Sequence, residues 1–228
     1  MANPSKFKAF VSKIISHGDG VYTVDLSLDG GIAKFKPGQF LHLTLDEFDP
    51  SSGFWPESRV FSIASVPGAN YVQIVYSVKG VYTRRMSVEL TEGKEVWLKL
   101  PYGDFIIEKH IQNAEKIFMI AGGTGVSPFI PFLKNYSSEK YPVPIALYYG
   151  IRNENFYFYR EVIEALKERI DVRVISGMMD IKTISGEIVS SKGARCFISG
   201  PPIMINSFKQ TLLSMAFKPE NIVIDEWE

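Results

Sequence analysis

A glycine-rich segment, Gly122–Pro128, follows an apolar run and precedes a helical apolar pattern. Gly123 and Gly125 fit the first two glycines of the G-x-G-x-x-G pattern, and Pro128 stands at the third position. Glycines at these positions let the backbone turn sharply and approach a pyrophosphate, and proline is tolerated in the first turn of a helix. The spacing predicts a strand–loop–helix unit that binds nucleotide phosphates, with the helix N-terminus facing them. A strand-to-helix turn without a ligand can show the same pattern.

The next predicted strand departs from the standard dinucleotide fingerprint. That fingerprint places an acidic residue at the end of this strand, where it binds the ribose. Here the strand ends with Tyr149–Asn153, which contains neither Asp nor Glu. The sequence therefore favours a nucleotide-binding domain that holds the ribose in another way over an ordinary Rossmann dehydrogenase.

A second set of candidate residues lies in Arg59–Ser65, where an arginine, an aromatic residue and serines follow one another. In a strand, Arg59 and Phe61 share one face and Ser62 takes the other. A cation, a ring and a hydroxyl are suited to a flat, phosphorylated ligand. Taken alone, however, the segment is more typical of an ordinary strand.

Composition excludes several classes of protein. The 228 residues contain 25 basic and 25 acidic side chains, so the chain lacks the positive charge that nucleic-acid binding needs. No apolar run approaches the ~20 residues of a membrane helix, and the N-terminus lacks a signal-peptide core. The single cysteine, Cys196, excludes an intrachain disulfide, a four-cysteine zinc site and a cysteine-ligated iron–sulfur cluster. The three histidines lack metal-ligand spacing, so we expect a cytoplasmic protein with no metal site, no nucleic-acid partner and no membrane span.

The chain changes character near residue 110. Short β-branched and aromatic runs separated by turn residues fill the first part and predict an antiparallel barrel or sandwich. Strands alternate with helical patterns in the second part and predict a parallel sheet with crossover helices. We therefore expect domains at 1–109 and 110–228. The predicted strands are 10–15, 21–28, 40–45, 60–64, 71–78, 95–100, 116–121, 144–149, 172–175 and 195–199, and the predicted helices are 128–136, 158–169 and 202–216.

Taken together, the motifs of both halves resemble the ferredoxin–NADP reductase family. Each motif is modest, but they occur in the family's order over nearly the whole chain. Arg59–Ser62 is similar to the R-x-[YF]-S flavin motif, Gly80–Thr83 to the flavin-phosphate turn and Pro101–Phe105 to the barrel exit. Gly122–Pro128 is similar to the GGTG-x-x-P loop and Tyr149–Arg152 to the Y-G-x-R strand end. Ser199–Pro202 is similar to the C-G-P-P motif and Asp225–Glu228 to the acidic-x-aromatic terminus. The resemblance implies a flavin-binding antiparallel β-barrel followed by a Rossmann-like NAD(P)-binding α/β domain.

The resemblance also implies roles for individual residues. Arg59 would pair with the flavin phosphate, Phe61 would stack on the ring system, and Ser62 would bond near the reactive flavin nitrogen. The other implied flavin contacts are Val60, Val75, Tyr76, Ser77, Gly80, Val81, Tyr82 and Thr83, of which the last four would hold the diphosphate of FAD. The implied nicotinamide-nucleotide contacts are Gly122, Gly123, Thr124, Gly125, Val126, Pro128, Arg152, Ser176, Gly200, Pro201 and Pro202.

Catalytic roles are implied for Ser62, Ser199, Asp225 and Glu226, and Trp227 would contact a cofactor, with end-of-strand packing as the alternative. Phe61 replaces the commoner tyrosine, so a hydroxyl contact is lost. Ser199 stands where many members carry a cysteine beside the nicotinamide, and it could still donate a hydrogen bond. Asp225 and Trp227 match the acidic-x-aromatic spacing of the family's terminus, and one further residue, Glu228, follows Trp227.

The expected function is that of an FAD-dependent NAD(P)H oxidoreductase. Hydride would pass from the nicotinamide to the flavin, and electrons would then pass to a separate acceptor: a ferredoxin, a flavodoxin, an oxygenase component or free flavin. The alternatives are a non-autonomous subunit of a larger redox complex and a binding module without chemistry.

We expect NADH to be preferred over NADPH. Plant-type members carry a Ser–Arg pair at the end of the third strand of the nucleotide domain, whereas Ser176 is followed here by Gly177, with Asp180 nearby. Lys182 or Arg152 could supply the missing cation.

Overall fold

The computed structural model describes residues 4–137 and 139–225, and these form two units that divide between Asp104 and Phe105. The sequence boundary at 109/110 lies a few residues beyond this division. The structure gives the reason at Phe105, whose ring packs against Phe129 and Phe197 of the second unit. The chain therefore joins the second core directly after the last barrel strand.

The first unit is an antiparallel barrel, as predicted. Its strands are β1 (Ser5–Gly18), β2 (Val21–Leu28), β3 (Phe40–Thr44), β4 (Arg59–Ser62), β5 (Tyr71–Ser77) and β6 (Glu95–Tyr102). They form one six-stranded sheet with the order β4-β3-β6-β1-β2-β5, in which every neighbouring pair is antiparallel. Alternate apolar residues fill the interior; Val24 and Leu26 of β2 and Leu41 and Leu43 of β3 are fully buried.

The two end strands of this sheet, β4 and β5, meet near Ala64 and Gln73. The Ala64 N–H donates to the Gln73 carbonyl at 2.8 Å. Because the two strands run antiparallel, this contact places the start of β4 beside the end of β5. Arg59 and Phe61 therefore lie at the same end of the barrel as Tyr76.

A helix stands where the sequence predicts only a turn. Helix α1 (Val81–Glu89) begins directly after Gly80, so the predicted phosphate turn is the N-terminus of a helix. Tyr82 and Met86, one helical turn apart, are its two buried residues. Two apolar residues one turn apart, in a segment between two strands, are too short a pattern to predict a helix.

The second unit is the predicted α/β domain, with one parallel sheet in the order β11-β10-β7-β8-β9. Its strands are β7 (Lys116–Gly122), β8 (Ile145–Ile151), β9 (Asp171–Ser176), β10 (Ala194–Ser199) and β11 (Ile222–Ile224). Its helices are α2 (Glu108–Ile111), α3 (Ile130–Lys134), α4 (Arg160–Glu164), α5 (Ile181–Ser190) and α6 (Pro202–Ser214), with 3₁₀ helices at Gly123–Phe129, Glu154–Phe156 and Pro219–Asn221.

Several elements of the second unit differ from the sequence predictions. The helix predicted from residue 128 begins as a 3₁₀ helix at Gly123, and the one predicted over 158–169 is helical only over Arg160–Glu164. Helix α5 was not predicted; its buried apolar residues are only Ile184 and Ile188. Strand β11 was also missed, because three residues are too few for an alternating pattern.

Within the described ranges, no helix is both long and apolar enough to cross a lipid bilayer. The described part of the chain also contains no group of three or more His, Cys, Asp or Glu side chains that could hold a metal ion.

Candidate functional site

The carboxyl ends of β7 and β10 form a switch point in the second sheet. Cys196 and Ile198 of β10 pack in the cluster that contains α5 and α6. Phe197 points to the opposite face of the sheet, where its ring packs against Phe105. The Phe105 ring also packs against Phe129, the last residue of the 3₁₀ helix that precedes α3. The chain therefore leaves neighbouring strands β7 and β10 toward opposite faces of the sheet. Open α/β sheets bind ligands in the crevice that such divergent loops create.

Glycines allow the two loops of this crevice to touch. A Cβ atom on Gly125 would lie 2.4 Å from the carbonyl oxygen of Ser199 and 2.5 Å from the Cα of Gly200. Because these are backbone atoms, they cannot turn aside as a side chain can. A Cβ atom on Gly122 would lie 2.7 Å from the Met204 sulfur and 2.9 Å from Cδ of Pro201. Gly123 has φ +55°, which favours glycine.

The other residues of the glycine-rich loop are arranged differently from the prediction. Pro128 lies inside the 3₁₀ helix, so it does not occupy the expected first turn of an α-helix. Val126 and Pro128 are buried and pack in the protein interior. Thr124 is half-buried, and its carbonyl accepts a 2.8 Å hydrogen bond from the Ser127 hydroxyl.

Ser199, at the end of β10, is bound to a buried carboxylate. Its hydroxyl donates to Oδ2 of Asp225 at 2.9 Å, and the side chains are 3% and 8% exposed. The Asp225 backbone N–H donates to the Ile198 carbonyl at 3.0 Å, which extends the β10–β11 pairing and fixes the carboxylate beside the serine. The sequence predicts that the Ser199 hydroxyl donates a hydrogen bond to a ligand, whereas in the structure it donates to Asp225. Glu226 and Trp227 lie outside the described residues.

The remaining predicted nucleotide residues of this unit lie around the same edge of the sheet. Ser176 is exposed at the end of β9, and Gly177 donates its N–H to the Ile151 carbonyl. The Arg152 guanidinium lies 5.2 Å from the Phe156 ring centre. Gly200 and Pro201 lead into α6, whose first residue is Pro202.

Asp180 is occupied by helix capping. Its carboxylate accepts hydrogen bonds from the backbone N–H and the hydroxyl of Thr183, at 3.1 and 2.8 Å. These hydrogen bonds, the backbone one first, lower the pKa of Asp180. The sequence predicts a negative charge from Asp180 near the ribose, and in the structure this carboxylate is held at the N-terminus of α5.

In the first unit, Arg59 lies beside the N-terminus of α1. Its guanidinium donates to Oε1 of Glu57 and to the carbonyl of Ser58, each at 2.8 Å. The same group lies 4.6 Å from the ring centre of Tyr82, in the first turn of α1. Unpaired N–H groups of a helix N-terminus attract anions, as a guanidinium does. Two groups suited to phosphate therefore converge at this end of the barrel.

Tyr82 holds α1 against the barrel, a role that the sequence did not indicate. Its hydroxyl accepts the Leu45 N–H at 3.1 Å and lies 3.2 and 3.1 Å from the carbonyl oxygens of Leu43 and Glu57. An isolated tyrosine in a polar segment gives no sequence signal of such a contact. Val81, beside it, is exposed.

The Thr83 hydroxyl is used within its own loop. It accepts the N–H groups of Lys79 and Gly80, at 2.9 and 3.0 Å, and lies 3.2 Å from the Gly80 carbonyl. The Thr83 side chain closes the turn before α1. The backbone N–H groups of residues 81–83 are then the groups that could bind an anion.

Phe61 and Tyr76 face each other inside the barrel. Their ring centres are 6.1 Å apart, Tyr76 stacks on Tyr22 at 5.2 Å, and Phe61 is 6% exposed. The Tyr76 hydroxyl is buried and has no hydrogen-bond partner among the residues that the structure describes, and burial raises the pKa of this tyrosine. For Phe61 to stack on a flavin, this aromatic group would have to rearrange.

The other predicted flavin contacts on β4 and β5 are less exposed than the residues of a surface binding site. Ser62 and Val75 are buried, while Val60 and Ser77 are half-buried. The structure thus brings Arg59, Phe61 and Tyr76 to one end of the barrel, beside Gly80–Thr83.

Comparison with known proteins agrees with this arrangement. Residues 119–210 match the family model "Oxidoreductase NAD-binding domain". A flavohemoprotein of Bacillus subtilis is 23% identical over 209 residues, 84% of this chain and 51% of that protein. The reductase component of propane 2-monooxygenase from Rhodococcus jostii is 26% identical over 216 residues, 85% of this chain and 56% of that protein. The chain thus spans about half the length of these curated relatives.

The fold is that of a solved ferredoxin NADP⁺ reductase. The Neisseria gonorrhoeae protein, solved with bound FAD and NADP, superimposes with a TM-score of 0.77 at 18% identity, covering 99% of both chains. The fold is that of a two-unit protein in which an antiparallel barrel precedes a parallel α/β unit, and residues 119–210 of the second unit match the oxidoreductase NAD-binding domain. The chain therefore shares the fold of the ferredoxin NADP⁺ reductase, and its residues 119–210 are similar to an oxidoreductase NAD-binding domain.

Proposed function

We propose that this chain is an FAD-dependent NAD(P)H oxidoreductase that passes electrons to a separate acceptor. The observation that carries the proposal is that one chain with the fold of a ferredoxin NADP⁺ reductase contains two sites suited to phosphate groups. One is Arg59 beside the N-terminus of α1, and the other is the glycine-lined crevice between β7 and β10. A bound flavin would supply the hydride and electron chemistry, and the protein would bind and orient it.

The donor set of the barrel suits a flavin with phosphate groups. Arg59 would pair with the phosphates, and the backbone at Gly80–Thr83 would hold a diphosphate, which favours FAD over FMN. Ser62 and the β5 residues Val75–Ser77 would lie along the ring system, with Val60 and Phe61. Identification by chromatography of flavin released by heat tests this choice, and recovery of FMN alone would contradict it.

The crevice of the second unit would take the nicotinamide nucleotide. Gly122–Gly125 would allow the backbone to approach the phosphates, with Thr124 and the segment Gly200–Pro202 beside them. Ser199 would contact the nicotinamide, held in place by Asp225. Arg152 and Ser176 would flank the ribose end. Val126 and Pro128 would act by packing.

We further propose that NADH is the preferred donor. Gly177 follows Ser176 where plant-type members carry arginine, and Asp180 is committed to capping α5. A 2′-phosphate needs a cation, and Arg152 is placed on the Phe156 ring.

The acceptor would be a second protein or a small molecule. Several relatives are named as parts of larger systems, among them an electron transfer component of 2-halobenzoate 1,2-dioxygenase and component C of methane monooxygenase. These names favour, as a second candidate, a subunit that depends on a partner chain.

Steady-state oxidation of NADH by the purified chain, with ferricyanide as the acceptor, separates the two candidates. An autonomous reductase oxidises NADH without another protein. A yellow chain that turns over only after a partner protein is added would be a dependent subunit. A chain that neither binds flavin nor oxidises NADH would contradict both.

A further inference from the structure

The flavin-phosphate site proposed above already contains an anion of the protein. The Glu57 carboxylate accepts a hydrogen bond from Arg59 at 2.8 Å, and the side chains are 62% and 46% exposed. Because the guanidinium also lies over the Tyr82 ring, Glu57 stands at the point where Arg59 and the first turn of α1 meet. This point is where the flavin phosphates would bind.

The backbone around Glu57 is fixed, whereas its side chain projects into solvent. The Tyr82 hydroxyl lies 3.1 Å from the Glu57 carbonyl oxygen. The next residue, Ser58, receives the indole N–H of Trp55 at 3.1 Å and lies 3.3 Å from Nδ1 of His42. A carboxylate on such a backbone can leave Arg59 by side-chain rotation alone.

The relative strengths of the two contacts decide which anion Arg59 holds. Exposed ion pairs of this kind are weak and are screened by salt. A charge-assisted contact to phosphate is stronger, and the N-terminus of α1 adds to it. A flavin phosphate therefore displaces the Glu57 carboxylate from Arg59, but the affinity for flavin is reduced because the ion pair is lost and Glu57 repels the phosphate.

We propose that Glu57 is an internal competitor for Arg59, which weakens flavin binding and keeps the flavin exchangeable. This inference rests on the proposed function, because it requires the flavin phosphates to bind at Arg59. It assigns Glu57 a part in tuning affinity; the residue is not catalytic.

The test compares FAD affinity among wild type, Glu57→Gln, Arg59→Ala and the double variant, by fluorescence titration at two salt concentrations. Glu47→Gln is the matched control, since Glu47 is also exposed and the substitution removes the same charge. We expect Glu57→Gln to bind FAD about two- to fivefold more tightly, an advantage that shrinks at the higher salt concentration. Glu47→Gln should behave as wild type.

The double variant shows whether Glu57 acts through Arg59. In the Arg59→Ala background, Glu57→Gln should change FAD affinity much less than in wild type. Unchanged or weaker binding by Glu57→Gln, while Arg59→Ala weakens binding, would overturn the competitor role and leave the flavin site standing. Equal FAD affinity of Arg59→Ala and wild type, or no FAD binding by any form, would overturn both this inference and the flavin site on which it rests.

Discussion

Two polar residues of the candidate sites are each bound to a carboxylate of their own unit. Arg59 donates to Glu57 at the surface, and Ser199 donates to Asp225 in the interior. The physical difference lies in burial. An exposed ion pair is exchangeable, whereas a buried hydroxyl–carboxylate pair is costly to break.

We expect Arg59→Ala to lower flavin affinity about 10- to 100-fold. A charge-assisted hydrogen bond contributes about 1.5–3 kcal/mol, which corresponds to one to two decades in affinity. Flavin fluorescence titration measures the loss, and turnover per bound flavin should fall much less. Arg169→Ala, an exposed arginine of the second unit, is the matched control. Equal flavin occupancy in Arg59→Ala and wild type would refute the role.

We expect Ser199→Ala to lower the free energy of unfolding by about 1–3 kcal/mol, because it leaves the Asp225 carboxylate buried without its hydroxyl donor. Urea denaturation measures this loss. The control, Ser190→Ala, removes an exposed hydroxyl that donates to the Gly186 carbonyl, and should cost much less. If both variants unfold at the same urea concentration, the Ser199–Asp225 pair contributes little.

At the scale of elements, the glycine-rich loop and the β10–α6 connection are held together by backbone contact. Gly125 allows this contact, and the two loops then define the crevice. In the barrel, α1 supplies its N-terminus to the candidate phosphate site, and the Tyr82 hydroxyl attaches the helix to Glu57, in the segment just before Arg59.

We expect Gly125→Ala to raise the KM for NADH at least about tenfold while leaving flavin content unchanged. Its Cβ would strike backbone atoms of Ser199 and Gly200, and relieving such overpacking costs about 1–3 kcal/mol. Gly186→Ala, in the interior of α5 where a Cβ meets nothing within 4 Å, is the control and should stabilise the protein slightly. A normal KM for Gly125→Ala would show that the crevice is not the nucleotide site.

The elements that the sequence predicted well are those with regular patterns. The barrel strands alternate apolar and polar residues, and Val21–Leu28 was predicted to the residue. Helix α1 was missed because two apolar residues one turn apart, Tyr82 and Met86, do not outweigh a strand-rich context. The Ser199–Asp225 bond spans 26 residues and depends on strand β11, which is too short to predict.

The predicted roles of single side chains were harder to derive than the motifs. Phe61 matches a stacking position in the sequence, yet its ring packs against Tyr76 in the interior. The Thr83 hydroxyl matches a phosphate contact, yet it closes its own turn. Both outcomes depend on neighbours that a motif does not specify.

At the scale of the whole molecule, an antiparallel barrel is followed by a parallel α/β unit, whose residues 119–210 match an oxidoreductase NAD-binding domain. The chain spans about half the length of its curated relatives, which carry additional sequence.

We expect kcat/KM for NADH to exceed that for NADPH, measured at one ionic strength. Ser176 is followed by glycine, and Asp180 adds a negative charge on the capped end of α5. A 2′-phosphate therefore lacks the bidentate arginine contact of a dedicated site. A preference for NADPH of about tenfold, equivalent to roughly 1.4 kcal/mol, would show that Lys182 or Arg152 replaces that arginine.

Anaerobic titration of the purified chain with NADH, followed by visible absorbance, tests the central proposal most directly. If one chain binds both cofactors and transfers hydride between them, its flavin absorbance bleaches completely after about one equivalent of NADH. Gly125→Ala should need a higher NADH concentration for the same bleaching rate, with an unchanged starting spectrum. A chain that does not bind added FAD, or whose bound flavin is reduced by dithionite but not by NADH, would contradict the proposed activity.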